Sequence, residues 1–278
     1  SEVDSLYKAG LSQHANANVT LKTRTASSYN ISDEGLVGLW GLNGNANNEL
    51  GVNNGTSSGV IFNETNGIVG QGGYFDGSSY IEINNSVMLD MNGTQHFAAS
   101  VWFKTDSTST QFILDRNDQD ESTDNVDIYM SSSNKKLYYR HGHHTAAAIS
   151  DEAINDGNWH HAVVVKQGIT AGGLHMYIDG VLQSTEGYAY TTALADADAI
   201  YIGRRISGNY WDGQIDEVRI YNRSLSQSEI QNLYQLGSYH INWGSWTDHS
   251  KVNDSAVVGI SSTNFMQYQA EFSSDNTE

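Results

Sequence analysis

INDGNWHHAVVVKQG (residues 154–168) and LHMYIDGVL (174–182) are two short apolar runs joined through a Gly-rich turn. Each run has strand length and is bounded by Asn, Asp and Gly, residues that interrupt a ladder. The second ends in Asp179-Gly180, a pair suited to the positive φ angles of a two-residue hairpin. Outward from this hairpin the pattern repeats. Upstream stand VTLKTRT (19–25), SSYIEIN (78–84), AASVWFKT (98–105), QFILD (111–115), VDIYMS (126–131) and KLYYRH (136–141). Downstream are AIYIGR (199–204) and QIDEVRIY (214–221). Turn clusters such as NNGT, SSSNKK, NDGN and SGN separate them, which predicts an all-β sandwich. One helix is expected, in SLSQSEIQNLYQLG (224–237). Ser226 and Glu229 form a capping box, Ile230, Leu233, Tyr234 and Leu236 make an apolar stripe, and Gly237 reads as the stop.

Composition narrows the partners. The 278 residues carry 14 Lys and Arg against 32 Asp and Glu, a net charge of −18. That balance excludes a nucleic-acid backbone as ligand and gives no footing on anionic lipid. There is no Cys, so disulfides, thiolate zinc sites and Cys nucleophiles are excluded, and there is no Pro. No apolar run reaches membrane-spanning length, so no membrane insertion is expected of this segment. The opening SEVDSLYKAGLSQ (1–13) has no basic-then-apolar pattern, and the expectation is that any leader has been removed. Eight Asn-X-Ser/Thr sequons begin at Asn18, Asn30, Asn54, Asn63, Asn84, Asn92, Asn222 and Asn253, where chance would give about five. They favour an extracellular, glycosylated chain at the cell surface.

The ordered series GLVGLWGLNGNANNELGVNNGT (35–56), QGGYFDGSSYIEI (71–83), FAASVWFKTD (97–106), INDGNWHHAVVVKQG, LHMYIDGVL, IYIGRR (200–205) and NYWDGQIDEVRIYNRSLSQSEI (209–230) resembles a laminin-G-like, concanavalin A-like jelly roll. The resemblance covers about residues 34–236. It implies two packed antiparallel sheets of six or seven strands each, with Trp40, Phe75, Trp102, Trp159 and Tyr221 as core or sheet-packing residues. The flanks resemble halves of a motif from prokaryotic, including archaeal, surface proteins. Its parts here are an R-T strand near residue 24, Trp243–Trp246, and a late strand from Phe265 to Phe272. Residues 1–33 and 237–278 are therefore expected to form a smaller discontinuous β-sandwich into which the jelly roll is inserted. The comparison repeats carry one more strand than this chain, and an incomplete edge invites strand addition from a neighbour. Residues 1–13 are the candidate donor.

Catalysis finds little support. A glycan hydrolase needs two carboxylates placed across the sugar, and no strand spells an E-x-D-x-E run. Asp216 and Glu217 are adjacent and so are expected on opposite faces. Calcium is the better chemical candidate, because hard cations collect carboxylate and carbonyl oxygens. The resemblance implies a rim site built from Asp216 with Asn48 or Asn43 and the Gly51 carbonyl, and its role would be structural. The acidic stretch DRNDQDESTDNVD (115–127) reads as a solvated hairpin loop. His141, His143 and His144 make a weak metal cluster, and of His160 and His161 one is expected to pack and one to face out. Tyr188 and Tyr190, in a loop with no strand role, are the candidate glycan contacts.

These readings lead to a non-enzymatic extracellular structural or adhesive protein. In the first version it is a subunit of a surface filament or layer, self-associating by β-strand addition with a lectin-like domain outward. In the second it is a monomeric carbohydrate-binding adhesion module, whose ligand is a glycan or a surface protein.

Overall fold

A computed structural model of the chain describes residues 17–27, 33–84, 96–116, 125–142, 147–168, 173–184, 199–241, 247–250 and 264–274. The chain divides into two compact units, residues 1–29 with 241–278, and residues 30–240. In the smaller unit, β1 (Ala17–Ser27) lies between β17 (Thr247–Ser250) and β18 (Asn264–Ser274), all antiparallel.

The larger unit is a sandwich of two antiparallel sheets. The seven-stranded sheet contains β3 (Gly55–Ser58), β6 (Tyr80–Asn84), β8 (Gln111–Arg116), β9 (Asn125–Met130), β10 (Leu137–Gly142), β11 (Ala147–Ile149) and β15 (Ala199–Ile202). Their spatial order is β11-β10-β9-β8-β15-β6-β3. The second sheet contains β2 (Leu36–Trp40), β4 (Ile61–Asn63), β5 (Gly72–Asp76), β7 (Phe97–Lys104), β12 (Trp159–Lys166), β13 (Leu174–Ile178), β14 (Val181–Leu182) and β16 (Asp212–Tyr221). It runs β14-β13-β12-β7-β16-β5-β4, and β2 pairs with the half of β16 that β5 leaves free. The sheets thus hold seven and eight strands among the described residues, one more in the second than expected.

Alternation builds the core. Val126, Ile128 and Met130 of β9 point inward to meet Val101 and Phe103 of β7 and Ile215 of β16, while Asp127 and Tyr129 take the other side. Trp40, Phe75, Trp102 and Tyr221 are buried as expected, Tyr221 in the cluster under the helix; Trp159 is only half-buried. The Asp179-Gly180 turn has both residues at positive φ, +52° and +77°, as a two-residue hairpin requires.

The helix α1 (Gln227–Ile241) begins where its capping box placed it. The Ser226 N–H donates to Glu229 Oε2 at 2.8 Å, and the Glu229 N–H donates back to Ser226 Oγ at 3.4 Å. Arg223 also bonds Glu229, and with the Ser226 contacts it draws that carboxyl down to about 2. The expected stop at Gly237 is corrected: the helix runs on to Ile241. Gly237 has another reason to be glycine. A Cβ there would lie 2.3 Å from Trp102 Cε2, so only glycine lets the helix come down onto the indole. α1 seals the outer side of the eight-stranded sheet through Ile230 and Leu233, which pack with Val163, Val165, Ala98 and Tyr221. Tyr234 stacks on Trp102 at 5.7 Å, and His161 lies 4.9 Å from the same ring.

Candidate functional site

With α1 on one side of the sandwich, attention turns to the other. Among the described residues no helix covers the outer face of the seven-stranded sheet, and strand register lays a row of polar groups across it. Arg140 stands opposite Asp127, Asp127 opposite Asp115, Asp115 opposite Tyr201, and Tyr201 opposite Glu82. Beside this row run three rings, Tyr138, Tyr129 and Phe112. They stack near-parallel with centroids 5.2 and 4.9 Å apart. Residues 112 and 115 would fall on opposite faces of a regular strand. The irregularity between Phe112 and Leu114 shifts the register by one, so both meet outward-facing partners on β9.

Asp115 and Asp127 in this row are fully buried despite facing away from the core. Asp127 forms an ion pair with Arg140, whose guanidinium also lies 4.5 Å over the Tyr129 ring. Asp115 Oδ2 accepts the Ile206 N–H at 2.9 Å, tying the loop of residues 203–210 to the sheet. Asp115 Oδ1 and Asp127 Oδ1 have no protein donor. Register sets the two carboxyl groups opposite each other on neighbouring strands, so each feels the other's charge. Burial, and then the neighbouring Asp127 carboxylate, push the Asp115 carboxyl far above the usual carboxylate range. Loop residues complete the face. Arg205 lies 5.7 Å over Phe112, and Arg204 sits among Tyr80, Tyr201 and Tyr210 at 4.1, 4.3 and 5.9 Å.

This arrangement suits binding better than hydrolysis. Rings stack against C–H faces, and planar charged groups bond hydroxyls from fixed positions. A glycosidase needs two carboxyls that reach the sugar, whereas Asp115 and Asp127 are both fully buried.

The anticipated calcium ligands are arranged differently from a cage. Asp216 is fully buried. Its Oδ2 accepts the Ile68 and Val69 N–H groups at 2.8 and 3.0 Å, and its Oδ1 accepts that of Glu217 at 2.8 Å. Burial first, then the Glu217 charge, raise its carboxyl to about 8. Asn43 Oδ1 accepts the Gln71 N–H, and Asn48 Oδ1 accepts those of Leu39 and Leu50. Gly51 is exposed, in a left-handed turn. The loop-pinning expected of an ion is thus performed by side chains and backbone amides. Among the described residues no three His, Asp or Glu side chains gather as a metal site. These residues do not fit a calcium cage. The expected result of adding EDTA is therefore a thermal midpoint unchanged within about 1 °C; a fall of several degrees would reveal a bound structural ion.

A β-bulge also alters the expected geometry at Asp216-Glu217. Register breaks between Asp216 and Arg219, and Glu217 adopts φ +51°. Strict alternation is lost, so both acids are buried and Glu217 pairs with Arg219 at 2.5 Å. His161 is buried and bonds Ser100, while half-buried His160 bridges Asp156 and Asp179, the expected division. His141 is buried against Tyr139; His143 and His144 lie outside the described residues, as do Tyr188 and Tyr190. Of the sequons, Asn54, Asn84 and Asn222 are exposed. Asn63 is half-buried and caps a 3-10 turn through its Oδ1. Asn18 lies on β1, and Asn30, Asn92 and Asn253 fall outside the described residues.

Sequence reading placed Asp115 and Asp127 in a solvated loop and passed over Arg140, Arg204 and the five tyrosines of this face. A signal was present. VDIYMS, KLYYRH and AIYIGR each put a ring or a charge on the positions that alternate with the core residues.

Fold and site together define a two-sheet β-sandwich with one outer face sealed by a helix and the other lined with rings and charges. Residues 75–231 match the Laminin_G_3 family model of the concanavalin A-like lectin/glucanases superfamily, and the chain belongs to that superfamily. No curated protein matches it as a sequence relative. Among solved structures it is similar to domain 4 of AbnA, an extracellular arabinanase of family GH43 from Geobacillus stearothermophilus, in complex with arabinotriose. The TM-score is 0.55 at 19% identity, covering 72% of this chain and 98% of that domain. A Trypanosoma rangeli sialidase in complex with sialic acid gives 0.57 at 17% identity, covering 74% of this chain and 33% of that one. The botulinum neurotoxin serotype G binding domain gives 0.55 at 15% identity, with 73% and 51% covered. The chain spans about half the length of that toxin domain, and at these identities the likeness is one of fold.

Proposed function

We propose that this chain is a non-catalytic, extracellular carbohydrate-binding protein that takes its glycan on the outer face of the seven-stranded sheet. The observation that carries the reading is the join of the Tyr138–Tyr129–Phe112 stack with the half-buried Arg140 guanidinium on a face that, among the described residues, no helix covers. A glycan buries ring faces on aromatics and spends its hydroxyls on fixed planar partners, and this face supplies both. The neighbours support the reading in kind, since they include a domain solved with arabinotriose and a sialidase solved with sialic acid. Among the described residues no helix is long and apolar enough to cross a membrane.

A glycan array followed by titration calorimetry tests the proposal. Tyr138→Ala removes the half-exposed end of the stack and is expected to weaken binding about tenfold, roughly 1.4 kcal/mol, with the thermal midpoint little changed. Val181→Ser, on the other sheet, is the control and should leave affinity intact. Absence of any glycan ligand for the wild-type chain would sink the reading.

A second reading rests on the smaller unit, where a strand that precedes the jelly roll is the centre of a sheet whose outer strands both follow it. Among the described residues, eleven-residue β18 is an edge with an unpaired ladder, the feature that strand addition uses. It supports a filament or layer subunit that displays the binding domain outward. Negative-stain images of the full chain are expected to show fibres that disappear on deleting residues 1–13. Fibres persisting after the deletion would remove that segment as donor.

A further inference from the structure

Arg204 is unlike the other arginines whose partners are plain. Arg140, Arg219 and Arg223 each pair with a carboxylate, Asp127, Glu217 and Glu229 respectively. Arg204 has none among the described residues, in a chain where acids outnumber bases by 32 to 14. Its surroundings are phenols. The guanidinium lies between the Tyr80 and Tyr201 rings, and Nη1 donates to the Tyr210 hydroxyl at a long 3.4 Å. The Nε–H is buried without an acceptor. That nitrogen is sealed from solvent, so a ligand would meet the half-buried guanidinium at its Nη side.

The cluster is also held in place. Tyr80 meets Tyr201 edge-on at 6.3 Å and Tyr210 at 6.2 Å, forming a cup around the cation. The loop bearing Arg204 is rooted at three points. Gly203 N–H donates to Ile113 O at 2.9 Å, Trp211 N–H to Gly203 O at 2.7 Å, and Ile206 N–H to Asp115. Gly203 itself sits at φ +85° with Phe75 where a Cβ would be, 2.4 Å away, so the loop root tolerates no side chain. A guanidinium stacked on rings keeps its plane fixed and its donor edge available, a geometry matched to the two oxygens of a carboxylate. The rings around it offer surface for the C–H face of whatever bears that carboxylate.

We propose that Arg204, cupped by Tyr80, Tyr201 and Tyr210, is a subsite for the carboxylate of an acidic sugar. This rests on the carbohydrate-binding reading and gives it a ligand class: glycans containing a uronic or a sialic acid residue. The net charge of −18 does not prevent it, because the Arg204 cation has no carboxylate partner among the described residues.

Calorimetry with paired probes decides the matter. Tetragalacturonate is compared with its methyl ester, and 3′-sialyllactose with lactose; the two pairs separate uronic from sialic acid as the source. In at least one pair the carboxylated member should bind ten or more times tighter. Arg204→Gln should bring the ratio of carboxylated to neutral affinity down to about one, and Arg204→Lys, which lacks the fork, should restore only part of it. Tyr210→Phe keeps the cation but frees its edge. It should reduce the preference a few-fold, and it carries the test if Arg204→Gln proves poorly folded by circular dichroism. Equal affinity within both pairs for the wild-type chain overturns the inference and leaves the glycan reading standing. Failure to bind any saccharide overturns both. A preference that survives Arg204→Gln in a folded variant assigns the carboxylate elsewhere and overturns the inference.

Discussion

Valine at position 237 is expected to lower the stability of the jelly roll by about 3 kcal/mol, at the upper end of what overpacking a core costs. A Cβ at this buried glycine would stand 2.3–2.6 Å from three atoms of the Trp102 indole. The indole cannot retreat, because His161 and Tyr234 pack against it at centroid distances of 4.9 and 5.7 Å. The helix must therefore lift from the sheet, and contacts of Ile230 and Leu233 loosen with it. Urea titration of the full chain measures the loss. Adding Trp102→Leu should recover part of it, since the smaller side chain clears the space, and the two changes should couple rather than add. A Gly237→Val midpoint equal to that of wild type would show that the close approach is not required.

Asparagine in place of Asp115 is expected to stabilise the protein by about 2 kcal/mol at pH 8. Burial, then Asp127, raise the folded-state affinity of Asp115 for its proton, whereas an unfolded Asp releases it near pH 4. The folded state therefore binds more protons than the unfolded state above pH 4, and stability is lost as pH climbs from there toward the raised folded value. An Asn side chain supplies a permanent N–H toward Asp127 with no proton to lose. Melting curves of wild type and Asp115→Asn should converge near pH 4 and diverge by pH 8, with the variant the more stable. A variant equally or less stable at pH 8 would refute the raised proton affinity of Asp115.

Periodicity made most of the jelly roll legible. Runs such as SSYIEIN and VDIYMS alternate so regularly that strand identity and facing follow from them, and the Asp179-Gly180 pair marks its own turn. Where expectation departed from structure, a contact distant in sequence was responsible. Gly237 resembles a helix stop until Trp102, 135 residues earlier, arrives beneath it. Asp216 and Glu217 lose their alternation because a bulge in β16 intervenes, and a bulge leaves no mark in composition. Asp115 and Asp127 look solvated in a run of acids, yet pairing of β8 with β9 sets them face to face and Ile206 closes over them.

By itself, the sequence determined the class of this protein: an acidic, Cys-free all-β sandwich with one capped helix, because alternation, turn chemistry and capping are local properties of neighbouring residues. The tertiary structure alone decided where the candidate binding face lies. Arg140, Asp127, Asp115, Tyr201 and Glu82 belong to five strands spread over residues 80–142 and 199–202, and only interstrand register sets them in one row. Register is fixed by how the two inner faces pack, which is a property of the whole sandwich and of no single strand.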